Sequence, residues 1–197
     1  MKAELYHQFL LLKNQGQKET AKNALAAFIA SFQNSDEKRS WVFSFLQNGE
    51  YGHKIRTEIY QQLVYPVLLE GYLKNHPPSV FWVARTANQL HTIPNLHPQL
   101  QDKSSFHLLL EAYQLEPSEA VRDELLQTLL RGFNYAQHEW PAGILYGPNG
   151  AVRDECQEIL QDIELARQLD HNNRYDATIS EFESRVHQYI ARLQTRT

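Results

Sequence analysis

The spacing of apolar residues constrains this chain more than any other feature of its sequence. Apolar residues recur every three or four positions almost from end to end, which is the period of an α-helix that buries one face. The longest such series lies near the C-terminus: Tyr175, Ile179, Phe182, Val186, Tyr189 and Leu193. Strand patterns are nearly missing, because the run Ile144-Leu145-Tyr146 is too short to found a sheet. The sequence therefore predicts an all-α protein.

Turn-forming residues divide this pattern into separate helices. The breaks fall at Gly16, at Asn48-Gly49, at His76-Pro77-Pro78 and at residues 115–118. They leave eight or nine antiparallel helices, whose pairs recur at roughly 35–45 residues. We expect either an irregular helical bundle or a short right-handed helical-hairpin solenoid.

Two local features are specific enough to test. Ser35, followed by Asp36 and Glu37, has the composition of a helix N-cap with a negative first turn. Pro66 lies inside an otherwise helical pattern, and a proline there lacks the N–H that the helix needs. We therefore expect a kink or a break near Tyr65.

The charge of the chain is divided unevenly along its length. Residues 1–98 carry ten Lys and Arg against seven Asp and Glu, whereas residues 99–197 carry nine against sixteen. The sign changes in the Pro-containing segment 92–104, which is the best candidate for a connector. We expect a single all-α domain over residues 1–197, with possible sub-structures at 1–91 and 105–197.

Several classes of protein are disfavoured by composition. The one cysteine, Cys156, excludes an intramolecular disulfide and lies on an apolar stripe, as a small buried hydrophobe would. Secretory-signal features and apolar runs of about 20 residues are missing, which predicts a cytoplasmic protein without membrane contact. A dense Lys/Arg stripe for nucleic acid is missing as well. We expect no metal and no cofactor, because the motifs that bind them are not found.

One segment resembles a known family. The sequence Leu110-Glu111-Ala112-Tyr113-Gln114-Leu115-Glu116-Pro117, followed by a helix that ends in Gly132, Tyr135 and Ala136, resembles tetratricopeptide repeats. The resemblance covers about residues 106–136, and the tryptophan of the family motif is not present. It implies a helical-hairpin surface that binds proteins, and it implies no activity.

The segment 140–150, WPAGILYGPNG, is the one plainly non-helical stretch of the second half. It carries the apolar side chains of Trp140, Ile144, Leu145 and Tyr146, which a fully solvated loop would not need. They either cap the core or contact a partner, because aromatic residues dominate binding hot spots. A third interpretation makes His138, Glu139 and Tyr146 the polar groups of a ligand or catalytic pocket.

A row of acidic residues follows this segment. Asp154, Glu158 and Asp162 are spaced to share one edge of a helix, where they would attract a basic partner. The leading hypothesis is a non-catalytic protein that binds another, basic protein, in its most specific form an inhibitor or immunity-type protein. The alternatives are a small helical enzyme, a ligand- or metal-binding protein, or a homodimer that forms through the C-terminal helix.

Overall fold

The protein is all-α, as the apolar spacing predicts. The computed structural model describes residues 2–49, 55–90, 93, 100, 103–147 and 149–194, and those residues contain no β-strand. The chain divides into two compact units, Met1–Leu108 and Leu109–Thr197. The division falls inside a helix, and most of the expected connector 92–104 lies outside the described residues.

The described residues of unit 1 form eight α-helical segments in chain order. They are α1 Lys2–Asn14, α2 Lys18–Ala30, α3 Ser35–Asn48, α4 Thr57–Ile59, α5 Tyr65–Leu73, α6 Pro77–Arg85, α7 Ala87–Leu90 and α8 Ser105–Leu115, the last of which continues into unit 2. α1 packs on α2, and α5 packs on α3 and α6. The glycine and proline breaks all end helices where they were expected, with Gly49 in the left-handed conformation at φ 64°.

An aromatic cluster forms the core beneath the first three helices. The ring of Trp41 stacks on Phe45 with centroids 4.8 Å apart and meets Phe28 edge-on at 5.1 Å. Tyr6 brings α1 into the same cluster, 5.4 Å from Phe28. Such contacts add about 0.5–1.5 kcal/mol per pair to the burial of apolar area.

The chain stays helical through Pro66. Between α4 and α5 it forms a π-helical turn, Tyr60–Val64, in which the N–H of Tyr65 donates to the carbonyl of Tyr60 five residues earlier. Proline has no N–H to donate within the helix. The wider turn before it accommodates this loss by bonding over five residues and not four. The irregularity expected near Tyr65 is therefore a π turn directly before the proline.

The cap of α3 lies one residue before the expected position. Asn34, not Ser35, has extended backbone angles, and its side chain accepts from the N–H of Glu37 at 2.9 Å. The Glu37 carboxylate accepts in return from the N–H of Gln33 at 2.8 Å. The expected N-cap at Ser35 is wrong because Asn is as good a cap as Ser and is placed one residue earlier.

Unit 2 consists mainly of three long helices. α9 spans Glu119–Ala136, α10 spans Arg153–Leu169 and α11 spans Asp176–Gln194, with a short 3₁₀ turn at Trp140–Ala142. α10 packs on both α9 and α11. The C-terminal apolar series faces this core, where Phe182 stacks on Phe133 with ring centroids 4.6 Å apart.

Consecutive helices of unit 2 run in opposite directions. The end of α9 meets the segment before α10 through a bond from the Tyr146 N–H to the Ala136 carbonyl. The start of α9 meets the segment after α10 through a bond from Arg122 to His171. The end of α11 returns to the first location, since the Tyr189 hydroxyl donates to the Ala151 carbonyl. Unit 2 thus has two distinct ends, each formed by a helix terminus and a connecting segment.

Counted as continuous segments, the described α-helices number ten, because α4, the π turn and α5 join into one segment. Only Thr86 separates α6 from α7. Among the described residues, no helix is long and apolar enough to cross a bilayer.

Candidate functional site

The segment between α9 and α10 folds back on unit 2. Leu145 is fully buried, and its carbonyl accepts from the N–H of Ala151 at 2.6 Å. The Tyr189 hydroxyl of α11 donates to the Ala151 carbonyl at 3.1 Å, which ties the segment to the end of that helix. Leu145 therefore contributes to the core and is not exposed to a partner.

Trp140 is covered by the last turn of α11. The guanidinium of Arg192 lies 5.1 Å from the centre of the indole ring, within the range of a cation–π contact. Gly143 follows at φ 74°, and its carbonyl lies 3.5 Å from the same guanidinium. Trp140 and Ile144 are each half-buried, so both support the segment from its inner side.

Tyr146 differs from these three residues. Its side chain is 48% exposed, and its backbone is left-handed at φ 62°. A residue with a β-carbon loses about 1–2 kcal/mol in that conformation relative to its ordinary one. The N–H of Tyr146 donates to the Ala136 carbonyl at 2.8 Å, which holds the strained backbone in place. The fold thus accepts a local cost at the residue that it exposes.

Two further apolar side chains are exposed at the same end of unit 2. Tyr135 is 70% exposed and Val152 is 60% exposed. Tyr135 precedes Ala136, to which Tyr146 is bonded, and Val152 follows Ala151, to which Leu145 is bonded. We call Tyr135, Tyr146 and Val152 the aromatic edge. The sequence pattern did not indicate Tyr135 or Val152 as candidate site residues. Tyr135 lies off the apolar stripe of α9, which was a signal that its side chain would be exposed.

The acidic residues lie on α10, directly after the aromatic edge. Asp154 and Glu158 are exposed one turn apart, and in the described part of the chain neither forms an ion pair. Asp162 is half-buried and engaged in another interaction. Glu155 is occupied as well, since its carboxylate accepts from the N–H of Val152 at 2.8 Å. Asp154 and Glu158 are therefore the carboxylates available to a partner.

The groups proposed for a pocket lie in solvent. His138 Nε2 and Glu139 Oε1 are 3.9 Å apart on exposed side chains. General acid–base chemistry needs such groups held against a substrate, whereas both side chains face solvent here. Over the described ranges, no three His, Cys, Asp or Glu side chains are grouped so that they could hold a metal ion.

Two side chains that could act as nucleophiles, Cys156 and Ser79, are buried in the core. Cys156 is fully buried, as the sequence predicts; burial raises the pKa of its thiol, and the Glu155 carboxylate raises it further. The Ser79 hydroxyl lies 2.9 Å from His76 Nδ1 at the start of α6, but Ser79 is buried against Gly71. A substrate could reach neither group without displacing core residues.

Comparison of the chain with protein-family models, with curated proteins and with solved structures found no match. The resemblance to tetratricopeptide repeats stays a prediction.

Proposed function

We propose that this protein binds a basic protein partner through the aromatic edge and the adjacent carboxylates of Asp154 and Glu158. The observation that carries the proposal is the conformation of Tyr146. Strained backbone at a residue with an exposed aromatic side chain is typical of ligand contacts, where the strain positions the group. A residue that served only to close the turn would be glycine or asparagine.

The supports beneath the edge favour a preorganised binding surface. Leu145 anchors the segment from inside, Arg192 covers Trp140 and Tyr189 holds Ala151, so the exposed rings are attached to a fixed backbone. A fixed surface loses little conformational entropy on association. Tyrosine is also among the residues that contribute most to binding when a partner excludes water from it.

The sign of the charge indicates the class of partner. Residues 109–197 carry fifteen Asp and Glu against eight Lys and Arg. Several of these acids are neutralised by arginines of the same unit, as Glu183 is by Arg167. Asp154 and Glu158 are not neutralised in this way. They lie beside the aromatic edge and add a negative potential that attracts Lys and Arg. An inhibitor or immunity-type protein, which masks a basic active site, is the most specific form of this proposal.

Affinity capture from extracts of the native cell tests the proposal. The bait is the full chain, and the captured proteins are quantified for the wild type, for Tyr146→Gly and for the double variant Asp154→Lys and Glu158→Lys. We expect one basic protein to be recovered by the wild type and to be reduced about tenfold or more with each variant, in line with the loss of a hot-spot residue.

Glu116→Lys provides a charge-reversal control. Glu116 is exposed in the turn before α9, at the opposite end of unit 2, and its replacement changes the charge by as much as each single substitution of the double variant does. We expect this control to capture the partner as the wild type does. Equal recovery by all baits would contradict the proposal, as would a partner of acidic composition.

A further inference from the structure

A second concave surface lies at the opposite end of unit 2. It is a cleft of about 320 Å³ between the first half of α9 and the segment that joins α10 to α11. Sites for small molecules begin at about 300 Å³, so the cleft has room for a metabolite-sized ligand. None of the candidate site residues predicted from the sequence lines it, although Tyr175 of the C-terminal apolar series does.

Two side-chain bonds hold the walls of the cleft together. Arg122 of α9 donates to His171 Nδ1 at 3.0 Å, and Gln127 of α9 donates to the Tyr175 hydroxyl at 2.9 Å. Because Nδ1 accepts, a neutral His171 carries its proton on Nε2, which remains a donor. Asp170 fixes the joining segment, since its carboxylate accepts from the N–H groups of Arg174 and Tyr175 at 3.0 and 2.6 Å.

The two walls differ in the charge that is left for a ligand. On the α9 wall, the carboxylates of Glu119 and Asp123 share the single guanidinium of Arg122, at 3.4 and 2.8 Å, which leaves one negative charge in excess. On the opposite wall, the Asp170 carboxylate already accepts from two backbone N–H groups. The Arg174 guanidinium of that wall lies 5.3 Å from the ring centre of Tyr175 and, within the described residues, pairs with no carboxylate. The Asn172 side chain also lines this wall.

The rest of the lining is apolar. Leu126 of α9 and Leu169 at the end of α10 both line the cleft and are otherwise buried in the core. A bound apolar group would therefore extend the core and lose its contact with water, which is favourable in proportion to the area buried.

We propose that this cleft binds a small zwitterion with an apolar body, such as an α-amino acid with an aliphatic side chain. The carboxylate of the ligand pairs with Arg174 and accepts from the donors of His171 and Asn172. Its ammonium group pairs with Asp123 and Glu119, and its side chain packs on Leu126 and Leu169. A ligand with only one charge would leave the other wall without a partner.

The cleft is independent of the aromatic edge. Asp123 and Tyr135 are separated by twelve residues of α9, which is about 18 Å along the helix at the usual rise per residue. The two proposals can therefore fail separately.

Titration of the ¹⁵N-labelled full chain with L-leucine, followed by amide NMR, tests the inference. We expect shifts confined to residues 119–127 and 169–175. Leucinamide lacks the carboxylate, N-acetylleucine lacks the ammonium group and glycine lacks the apolar body. Each of them should bind about tenfold more weakly or worse, because a charge-assisted hydrogen bond or a buried side chain is lost.

Arg174→Gln and Asp123→Asn test the walls, and Arg153→Gln is the matched control. Arg153 is exposed at the start of α10, at the other end of unit 2. We expect the first two variants to weaken leucine binding about tenfold and the control to leave it unchanged. The inference is overturned if leucine causes no shifts, if the derivatives bind as well as leucine, or if the control weakens binding equally.

Discussion

At the scale of single residues, Tyr146 combines a strained backbone with an exposed side chain. Its left-handed backbone costs free energy, and its ring is half exposed, so little burial offsets that cost. The chain places glycine at the neighbouring left-handed positions Gly143, Gly147 and Gly150 but not here. The tyrosine ring is therefore expected to serve something other than stability.

Tyr146→Gly should preserve the fold. Glycine removes about 1–2 kcal/mol of left-handed strain from the folded state. It also gives the unfolded chain more conformational freedom, which favours unfolding by about 0.5–1 kcal/mol and offsets part of that gain. We expect the free energy of unfolding in urea to be unchanged or raised by up to about 1 kcal/mol. Tyr135→Gly is the matched control, and in a regular helix it should cost about 0.5 kcal/mol, the difference in helix propensity between tyrosine and glycine. A larger loss at position 146 than at 135 would mean that the Tyr146 ring packs on the core.

Gly150 tests a different constraint, close contact. A β-carbon at Gly150 would overlap the Tyr189 hydroxyl, whereas one at Gly147 would meet nothing, and both glycines have φ 74°. We expect Gly150→Ala to lower the free energy of unfolding by about 1–3 kcal/mol more than Gly147→Ala does, since only the first adds steric overlap. Thermal denaturation of both variants checks this. Equal losses would show that Tyr189 moves aside at no cost.

At the scale of elements, α10 and α11 are joined by a two-point ion pair. The two terminal nitrogens of the Arg167 guanidinium, Nη1 and Nη2, donate to the two carboxylate oxygens of Glu183, at 2.9 and 2.6 Å. This hydrogen bonding lowers the pKa of the Glu183 carboxyl below its unfolded value. A lowered pKa in the folded state contributes stability above the unfolded-state pKa, and that contribution is lost as the pH falls through the folded-state pKa.

Glu183→Gln should therefore destabilise the protein in a pH-dependent way. Near neutral pH we expect a loss of up to about 1 kcal/mol, because both side chains are partly exposed and solvent screens the pair. The difference from the wild type should shrink as the pH drops below the unfolded-state value and vanish in acid. Urea unfolding across this range, with Glu181→Gln on the same helix as control, measures it. A difference that persists in acid would contradict the assignment.

The sequence predicted the helices well and their irregular junctions poorly. The apolar series of α11 predicted its buried face because a regular helix repeats the same geometry at every turn. The π turn before Pro66 depends on how a missing N–H is accommodated, which spacing alone does not encode. The same limit applies to the candidate site. Tyr146 was singled out from its loop, but the burial of Leu145 and the proximity of Tyr135 depend on long-range backbone bonds.

At the scale of the whole molecule, the uneven charge should govern how fast the proposed partner arrives. The excess of acids in residues 109–197 favours a negative field, and such fields act on association more than on dissociation. The aromatic edge acts at short range only, so it should determine how long the proposed complex lasts.

This division predicts a kinetic difference between two classes of variant. With the captured partner immobilised, Asp154→Lys with Glu158→Lys should slow association and reduce its dependence on salt, with little effect on dissociation. Tyr146→Gly should speed dissociation and leave association nearly unchanged. Surface plasmon resonance at several salt concentrations separates the two rates. If both variants altered the same rate, charge and apolar contact would not be separate contributions.

The π turn at Tyr60–Val64 holds one residue more than an α turn would at that point. Deletion of one residue there would let the segment close into an ordinary helix, and the residues after it would keep their faces. Leu68 and Tyr72 would therefore stay on the buried side. A frame-preserving loss of a single codon, which inside a regular helix would rotate everything after it by about 100°, would here leave the buried face of α5 aligned.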